Sequence, residues 1–287
     1  MAAPVAIVTG GSSGIGEALV EHLLTLGWKV VVADIQSSKH SSRNVLYIET
    51  DISSWEQQSD MFARAYAWGK RLDFCALNAA ADDRDSIFNS LSHDVNAPPS
   101  EPDTRCFKVN DIGTYYGIKL AAHYMTIPSQ EGGKPKTGGK IVVTSSGGGL
   151  FPIPAIPQYT ASKHALVGLV RALARNPASL AANVRINAVC PAIVATPGLP
   201  PGLVERLPAD QITPMSTIMK CFDECADLAG AGDEDWVERG RSGETVEGNV
   251  HELIWHTPPQ RPQGGNSKFV RESGVVAVAE AYKLKPS

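Results

Sequence analysis

The chain has 287 residues, 43% of them apolar and 20% charged, with a formal net charge of −4 at pH 7. That length holds one large α/β domain or two small ones, and that apolar share is enough for an ordinary core. The balance of charge carries no electrostatic footprint for nucleic acid, and no apolar run approaches the length of a membrane span.

Met1-Ala2-Ala3-Pro4 runs directly into an apolar segment, so no signal or transit peptide is expected and a cytoplasmic protein is the expectation. The cysteines at 75, 106, 190, 221 and 225 form an odd, dispersed set without a Cys-x-x-Cys pair, which fits free thiols in a reducing compartment. Cys221 and Cys225 stand one helical turn apart and read as two small apolar residues on a helix face; no metal site is expected.

The chain alternates strand and helix. Residues 5–9 read as the first strand and 15–27 as its helix, with Gly27 as the stop; 28–33 is a second strand ending at Asp34, and 45–48 a third running into Thr50-Asp51-Ile52. A helix over 54–68 precedes a strand over 72–77 that stops at Asn78. Long helices over 105–125 and 158–175 flank a strand over 140–144, and 184–189 is a sixth strand. A helix over 214–229 and a short strand near 244–248 complete the sheet. Near-continuous β-branched strands alternating with amphipathic helices predict an α/β fold: a doubly wound parallel sheet with helices on both faces, in one domain over 1–287.

Residues 82–104, with Pro98, Pro99 and Pro102, read as a surface insertion with a short helix around 85–92, and 128–139 as a solvated loop. Residues 192–212 are proline-rich and follow a strand's carboxyl end, where an open α/β sheet holds its ligand; together with the next helix, 192–230 is expected to cover the substrate. Residues 257–267 read as flexible and 274–284 as a terminal helix, so 257–287 is a variable extension. The segment 251–256 has no counterpart in this scheme and is expected to pack against a subunit edge.

The first strand leads into Thr9-Gly10-Gly11-Ser12-Ser13-Gly14-Ile15-Gly16 and then into a helix. Glycine permits a tight turn and close approach to phosphate, and the free N–H groups and dipole of a helix start favour negative charge, which suits a dinucleotide pyrophosphate. Gly10, Gly14 and Gly16 are spaced G-x-x-x-G-x-G rather than G-x-G-x-x-G. Asp34, at the end of the second strand, is placed to accept from ribose hydroxyls and to repel a 2′-phosphate; NAD(H) is therefore expected over NADP(H), with Lys39 and Arg43 the residues able to reverse that choice.

Tyr159 and Lys163 lie four apart at the start of a helix, on one face. A neighbouring ammonium favours a phenolate and makes tyrosine usable as an acid/base. Ser146, thirteen residues before Tyr159 and just past the fifth strand, is positioned to converge on the same point; Ser145 is the neighbour that could be mistaken for it.

With these residues in hand, the chain resembles a short-chain dehydrogenase/reductase. The resemblance rests on Thr9–Gly16, Asp51-Ile52, Asn78-Ala79-Ala80-Ala81, Asn110, Ser146, Tyr159-x-x-x-Lys163 and Asn187-Ala188-Val189-Cys190-Pro191-Ala192, in order over roughly residues 4–200. It implies Tyr159 as acid/base, Ser146 as orienting hydroxyl, Lys163 on the nicotinamide ribose, and Asn110 holding a water that links Lys163 to solvent. It implies Asp51 on the adenine amino group, Ile52 on the ring, Asn78 steadying the sheet beside the cofactor, and Thr196 at the carboxamide. Ser12, Ser13, Ile15, Ala79, Pro191 and Val194 complete the implied cofactor contacts.

Two alanines, in Asn78-Ala79-Ala80-Ala81 and in Pro191-Ala192, stand where the family has glycine; positive φ there would cost about 1 kcal/mol or more each. Thr213-Pro214 with Ser242-Gly243-Glu244-Thr245-Val246 looks most like the subgroup around 15-hydroxyprostaglandin dehydrogenase. The implied activity is NAD-dependent interconversion of a secondary alcohol and a ketone on a medium-sized, mostly apolar molecule, with a place in secondary metabolism. The alternatives are an NADPH-dependent ketone reductase, a cofactor-retaining isomerase, and a non-catalytic NADH-binding protein. Self-association as a homodimer or homotetramer is expected through the helices at 105–125 and 158–175.

Overall fold

The computed structural model describes residues 2–83, 85, 87–88, 91–200, 202–233 and 235–260. The described strands form one eight-stranded sheet. In chain order they are β1 (Val5–Thr9), β2 (Lys29–Asp34), β3 (Val45–Glu49), β4 (Phe74–Leu77), β5 (Gly139–Thr144), β6 (Val184–Pro191), β7 (Thr245–Asn249) and β8 (Glu252–Trp255). The sheet order is β3-β2-β1-β4-β5-β6-β7-β8. Every pair is parallel except β7 with β8.

The helices are α1 (Gly14–Thr25), α2 (Trp55–Gly69), α3 (Arg105–Phe107), α4 (Thr114–Met125), α5 (Pro157–Leu173), α6 (Pro177–Ala181) and α7 (Met215–Ala226). They cover both faces. Phe62, Ala121, Leu166 and Val170 close one face over Ile7, Cys75 and Ile141; Leu19, Val20, Ile218 and Phe222 close the other over Val8, Val32 and Val189. Burial on both faces explains the continuous apolar strands: all five residues of β1 are buried. Strand order reverses between β2-β1 and β1-β4, and the crevice beyond the carboxyl ends of β1 and β4 is where such a sheet takes a ligand.

Several expectations need revision. The expected helix over 105–125 is interrupted by a π-turn, Lys108–Gly113, between α3 and α4. Residues 252–255, for which no strand was expected, form β8, antiparallel on the edge of β7. The short helix α6 was not anticipated. No helix forms among the described residues of 82–104: Ile87 and Phe88 lie in a turn, and Asp94 bridges Ala97. β4 begins at Phe74 rather than at residue 72; just before it the Asp73 carboxylate accepts the Val5 N–H at 2.9 Å and pairs with Arg71 at 2.8 Å. The terminal helix expected over 274–284, and most of the segment 257–267, lie outside the described residues.

Candidate active site

The glycine turn sits at the switch point. Gly10 (φ 65°) and Gly14 (φ 55°) occupy the left-handed region, where side chains with a Cβ are strained. A Cβ on Gly10 would lie 2.8 Å from the Ala79 Cα, and one on Gly14 would lie 3.3 Å from the Thr196 Cβ. A Cβ on Gly16 would overlap the Gly10 carbonyl oxygen. These shape requirements favour glycine, and they bring the start of α1 against Ala79 on one side and Thr196 on the other. Ser13 is the extended residue that opens α1, and the Ile15 side chain packs on the α1/α7 core.

Asp34 joins this turn to the end of β2. Its two carboxylate oxygens accept the N–H groups of Ser12 and Gln36, each at 2.9 Å, and the Ser12 hydroxyl donates to the Gln36 carbonyl at 2.9 Å. The carboxylate is therefore held by two backbone donors beside the glycine turn. Asp51, beyond β3, accepts from the N–H and hydroxyl of Ser53, and Ile52 is buried with its carbonyl accepting from Gln58.

Asn78 is tied to β1 twice. Its N–H donates to the Thr9 hydroxyl at 2.9 Å and its side-chain amide donates to the Thr9 carbonyl at 3.2 Å, while the Ala79 N–H reaches the same hydroxyl at 3.1 Å. Neither Ala80 and Ala81 nor Ala192 is among the residues with positive φ, so the two alanine replacements carry no backbone strain. Pro191 ends β6. The Val194 side chain is buried in the core on the α7 side, so its backbone is what remains to face a ligand.

The candidate reacting groups meet where β5 and α5 converge. Ser146 is extended (φ −170°) and its hydroxyl accepts the Gly148 N–H at 3.0 Å. Ser145 is turned the other way and bonds the Lys163 carbonyl at 2.8 Å, so Ser146 is the serine at the site. The Lys163 ammonium is buried, donates to the Thr144 carbonyl at 2.9 Å and lies 5.4 Å from the centre of the Tyr159 ring. Burial lowers the Lys163 pKa to about 8, opposed by Cys106, Cys190, Asp111 and Asp82. Burial raises the Tyr159 phenol above its ordinary value, and the facing Ser146 hydroxyl offsets part of that rise. The phenol is therefore raised rather than lowered as expected, desolvation outweighing the Ser146 hydrogen bond.

Asn110 lies in the π-turn and is fully buried. Its side chain accepts the Ala81 N–H at 2.8 Å and donates to the Ala81 carbonyl at 3.1 Å and to the Ser162 hydroxyl at 2.9 Å. It clamps the loop after β4 against α5. π-turns concentrate at functional sites because they re-aim one residue of a helix.

The short-chain dehydrogenase model matches residues 4–201. This chain belongs to the short-chain dehydrogenase family. The short-chain dehydrogenase/reductase prx6 of Penicillium rubens is 30% identical over 290 residues, covering 95% of this chain and 91% of that protein. The NAD(+) 15-hydroxyprostaglandin dehydrogenase of Macaca fascicularis is 32% identical over 203 residues, 67% of this chain and 68% of that protein. A 3-ketoacyl-(acyl-carrier-protein) reductase from Brucella melitensis, solved with NADH, shares the fold at a TM-score of 0.67 and 20% identity, over 86% of this chain and 97% of that one. As a member of this family the chain is an oxidoreductase that uses a nicotinamide cofactor and a small-molecule substrate. No helix among the described residues is long and apolar enough to cross a membrane.

Residues that sequence reasoning passed over surround this short-chain dehydrogenase site. Gln58 donates to the carbonyls of Ile52 and Gly113, joining the loop after β3 to the π-turn. Glu247 on β7 pairs with His256, just past β8, at 2.7 Å, and the His256 ring meets Phe151 edge-on at 5.9 Å. These links join segments far apart in the chain, and no local pattern announces them. Cys221 and Cys225 are buried in the α7 core, as small apolar residues would be.

Proposed function

We propose that this protein is an NAD(H)-dependent dehydrogenase that interconverts a secondary alcohol and a ketone on a medium-sized, mostly apolar molecule. The observation that carries the reading is the convergence of Ser146, Tyr159 and Lys163 at the carboxyl end of β5. A nicotinamide bound along the glycine turn would supply the hydride acceptor. The chain's own part is to bind, orient and move a proton. Gly10, Ser12, Ser13, Gly14, Ile15 and Gly16 would hold the pyrophosphate, and Asp51, Ile52, Asn78 and Ala79 the adenosine side and its support. Pro191, Val194 and Thr196 would hold the nicotinamide end. Ser146 would orient the substrate oxygen, Tyr159 would take its proton in the oxidative direction, and Lys163 would favour the phenolate. Asn110 would fix the loop and helix that carry them.

Three observations support NAD over NADP. Asp34 ends β2 beside the glycine turn, where its carboxylate would repel a 2′-phosphate. Lys39 is engaged by Glu17 at 2.9 Å and Glu21 at 3.6 Å. Arg43 precedes β3, whose first residue aligns with Val30, whereas Asp34 aligns with Glu49 at the other end, roughly 13 Å or more along the strand. The name of the prostaglandin dehydrogenase relative agrees. An apolar substrate is supported by the exposed side chains of Phe151, Ile153 and Ile193 around the Ser146 loop and the segment after β6. Exposed Ile112 and Tyr115 beside the start of α4 support self-association through this face, and five free cysteines support a reducing, cytoplasmic setting.

The test is Tyr159→Phe assayed with NAD⁺ against a panel of secondary alcohols and with NADH against the matching ketones. Turnover should fall about 10²–10⁴-fold or more while NADH affinity stays within twofold or so. Retained turnover sinks the reading.

A further inference from the structure

Asn110 and Ser162 mark a crossing point between two elements. The Asn110 amide donates to the Ser162 hydroxyl at 2.9 Å, and that hydroxyl donates to the Tyr159 carbonyl at 2.8 Å. The next residue on the π-turn is Asp111, and the next on α5 is Lys163. Asp111 Oδ1 is buried and takes no hydrogen bond from the described residues. A buried carboxylate oxygen without a donor is costly and needs a reason.

Lys163 has a matching need. Its ammonium carries three donors, is buried, and is bonded to the Thr144 carbonyl. The groups that face it are Cys106 from α3, Cys190 from β6, Asp111 from the π-turn, Asp82 from the loop after β4, and Tyr159 on its own helix. Burial raises both thiols, Cys190 to about 11, so neither is charged at neutral pH. Asp82 is exposed and screened by water. That leaves one half-buried carboxylate.

We propose that Asp111 is a positioning residue of this site, the half-buried counter-charge that keeps Lys163 protonated beside Tyr159. It rests on the reading of Tyr159 and Lys163 as the acid/base pair. Burial raises Asp111 to about 6, and Lys163 pulls it back down. Above that pH the carboxylate is charged and supports the ammonium; below it the support is withdrawn. Removing the charge makes Lys163 lose its proton at lower pH, which leaves Tyr159 holding its own proton to higher pH.

The first test needs no substrate. The Asp111 carboxyl carbon is followed by NMR against pH in the full chain labelled at aspartate, with Asp111→Asn assigning the resonance. In Lys163→Met the Asp111 midpoint should rise by about one pH unit relative to the wild type. An unmoved midpoint overturns the proposal, and Lys163→Gln repeats the measurement should the methionine variant misfold. The second test is the pH profile of kcat/KM for alcohol oxidation. Asp111→Asn should move its ascending limb up by about one unit with NADH affinity unchanged, and Asp111→Glu should restore it. A coincident profile overturns the proposal. Loss of turnover in Tyr159→Phe is read separately, so failure of the reaction scheme and failure of this role are distinguishable.

Discussion

The Thr9 hydroxyl accepts the Asn78 backbone N–H at 2.9 Å, and through the same oxygen it also accepts the Ala79 N–H at 3.1 Å. One side chain at the end of β1 thereby fixes the end of β4, and with it the loop that the Gly10 turn packs against. Thr9→Val keeps the shape and leaves both donors without their acceptor. It should cost about 1–2 kcal/mol in urea unfolding and weaken NADH binding, with little effect on the m-value.

Asp34 holds the Ser12 and Gln36 N–H groups, and on the proposed reading it would also meet the ribose. Asp34→Ala should lower NADH affinity about tenfold or more and narrow the gap to NADPH, as read by paired fluorescence titrations. Adding Ile35→Arg should turn the preference toward NADPH.

Val250 is a β-branched residue at φ 51°, in the β7–β8 turn, and it is held there from α7's side: Thr213 Oγ1 accepts its N–H at 2.9 Å and Thr217 Oγ1 donates to its carbonyl at 2.7 Å. The strained conformation costs about 1–3 kcal/mol, more than the backbone freedom that glycine adds to the unfolded chain. Val250→Gly should therefore stabilise by about 1 kcal/mol and raise Tm, measured by calorimetry.

Asp111 has a pH signature in stability as well as in catalysis. Its folded pKa, raised to about 6, lies above the unfolded value, so between those two values the folded state binds the extra proton. Its contribution makes stability fall as pH rises from about 4 to about 6. Asp111→Asn should be more stable than the wild type above pH ~6 and similar to it at pH ~4, in denaturant titrations at the two pH values.

Much of this was legible in the sequence. The β-branched runs at 5–9, 29–34, 140–144 and 184–189 are strands because they are buried on both faces, and burial on both faces leaves a continuous apolar signature. Gly10 and Gly14 could be read because their left-handed φ favours glycine. β8 could not: Glu252–Trp255 is four residues long, and its strand character comes from pairing with β7 at the sheet edge. The π-turn could not be read either: it widens one turn of a segment that is helical on both sides. Backbone angles at Ala81 and Ala192, and the desolvation that raises Tyr159, depend on packing between distant segments.

The most direct test of the central claim is a paired titration of the purified protein with NADH and NADPH, followed by tryptophan or nicotinamide fluorescence. NADH binding at least about tenfold tighter than NADPH is the predicted result, because on the proposed reading Asp34 would accept from ribose hydroxyls and repel a 2′-phosphate. Tighter NADPH binding, or binding of neither, contradicts the account of this site as an NAD-linked dehydrogenase.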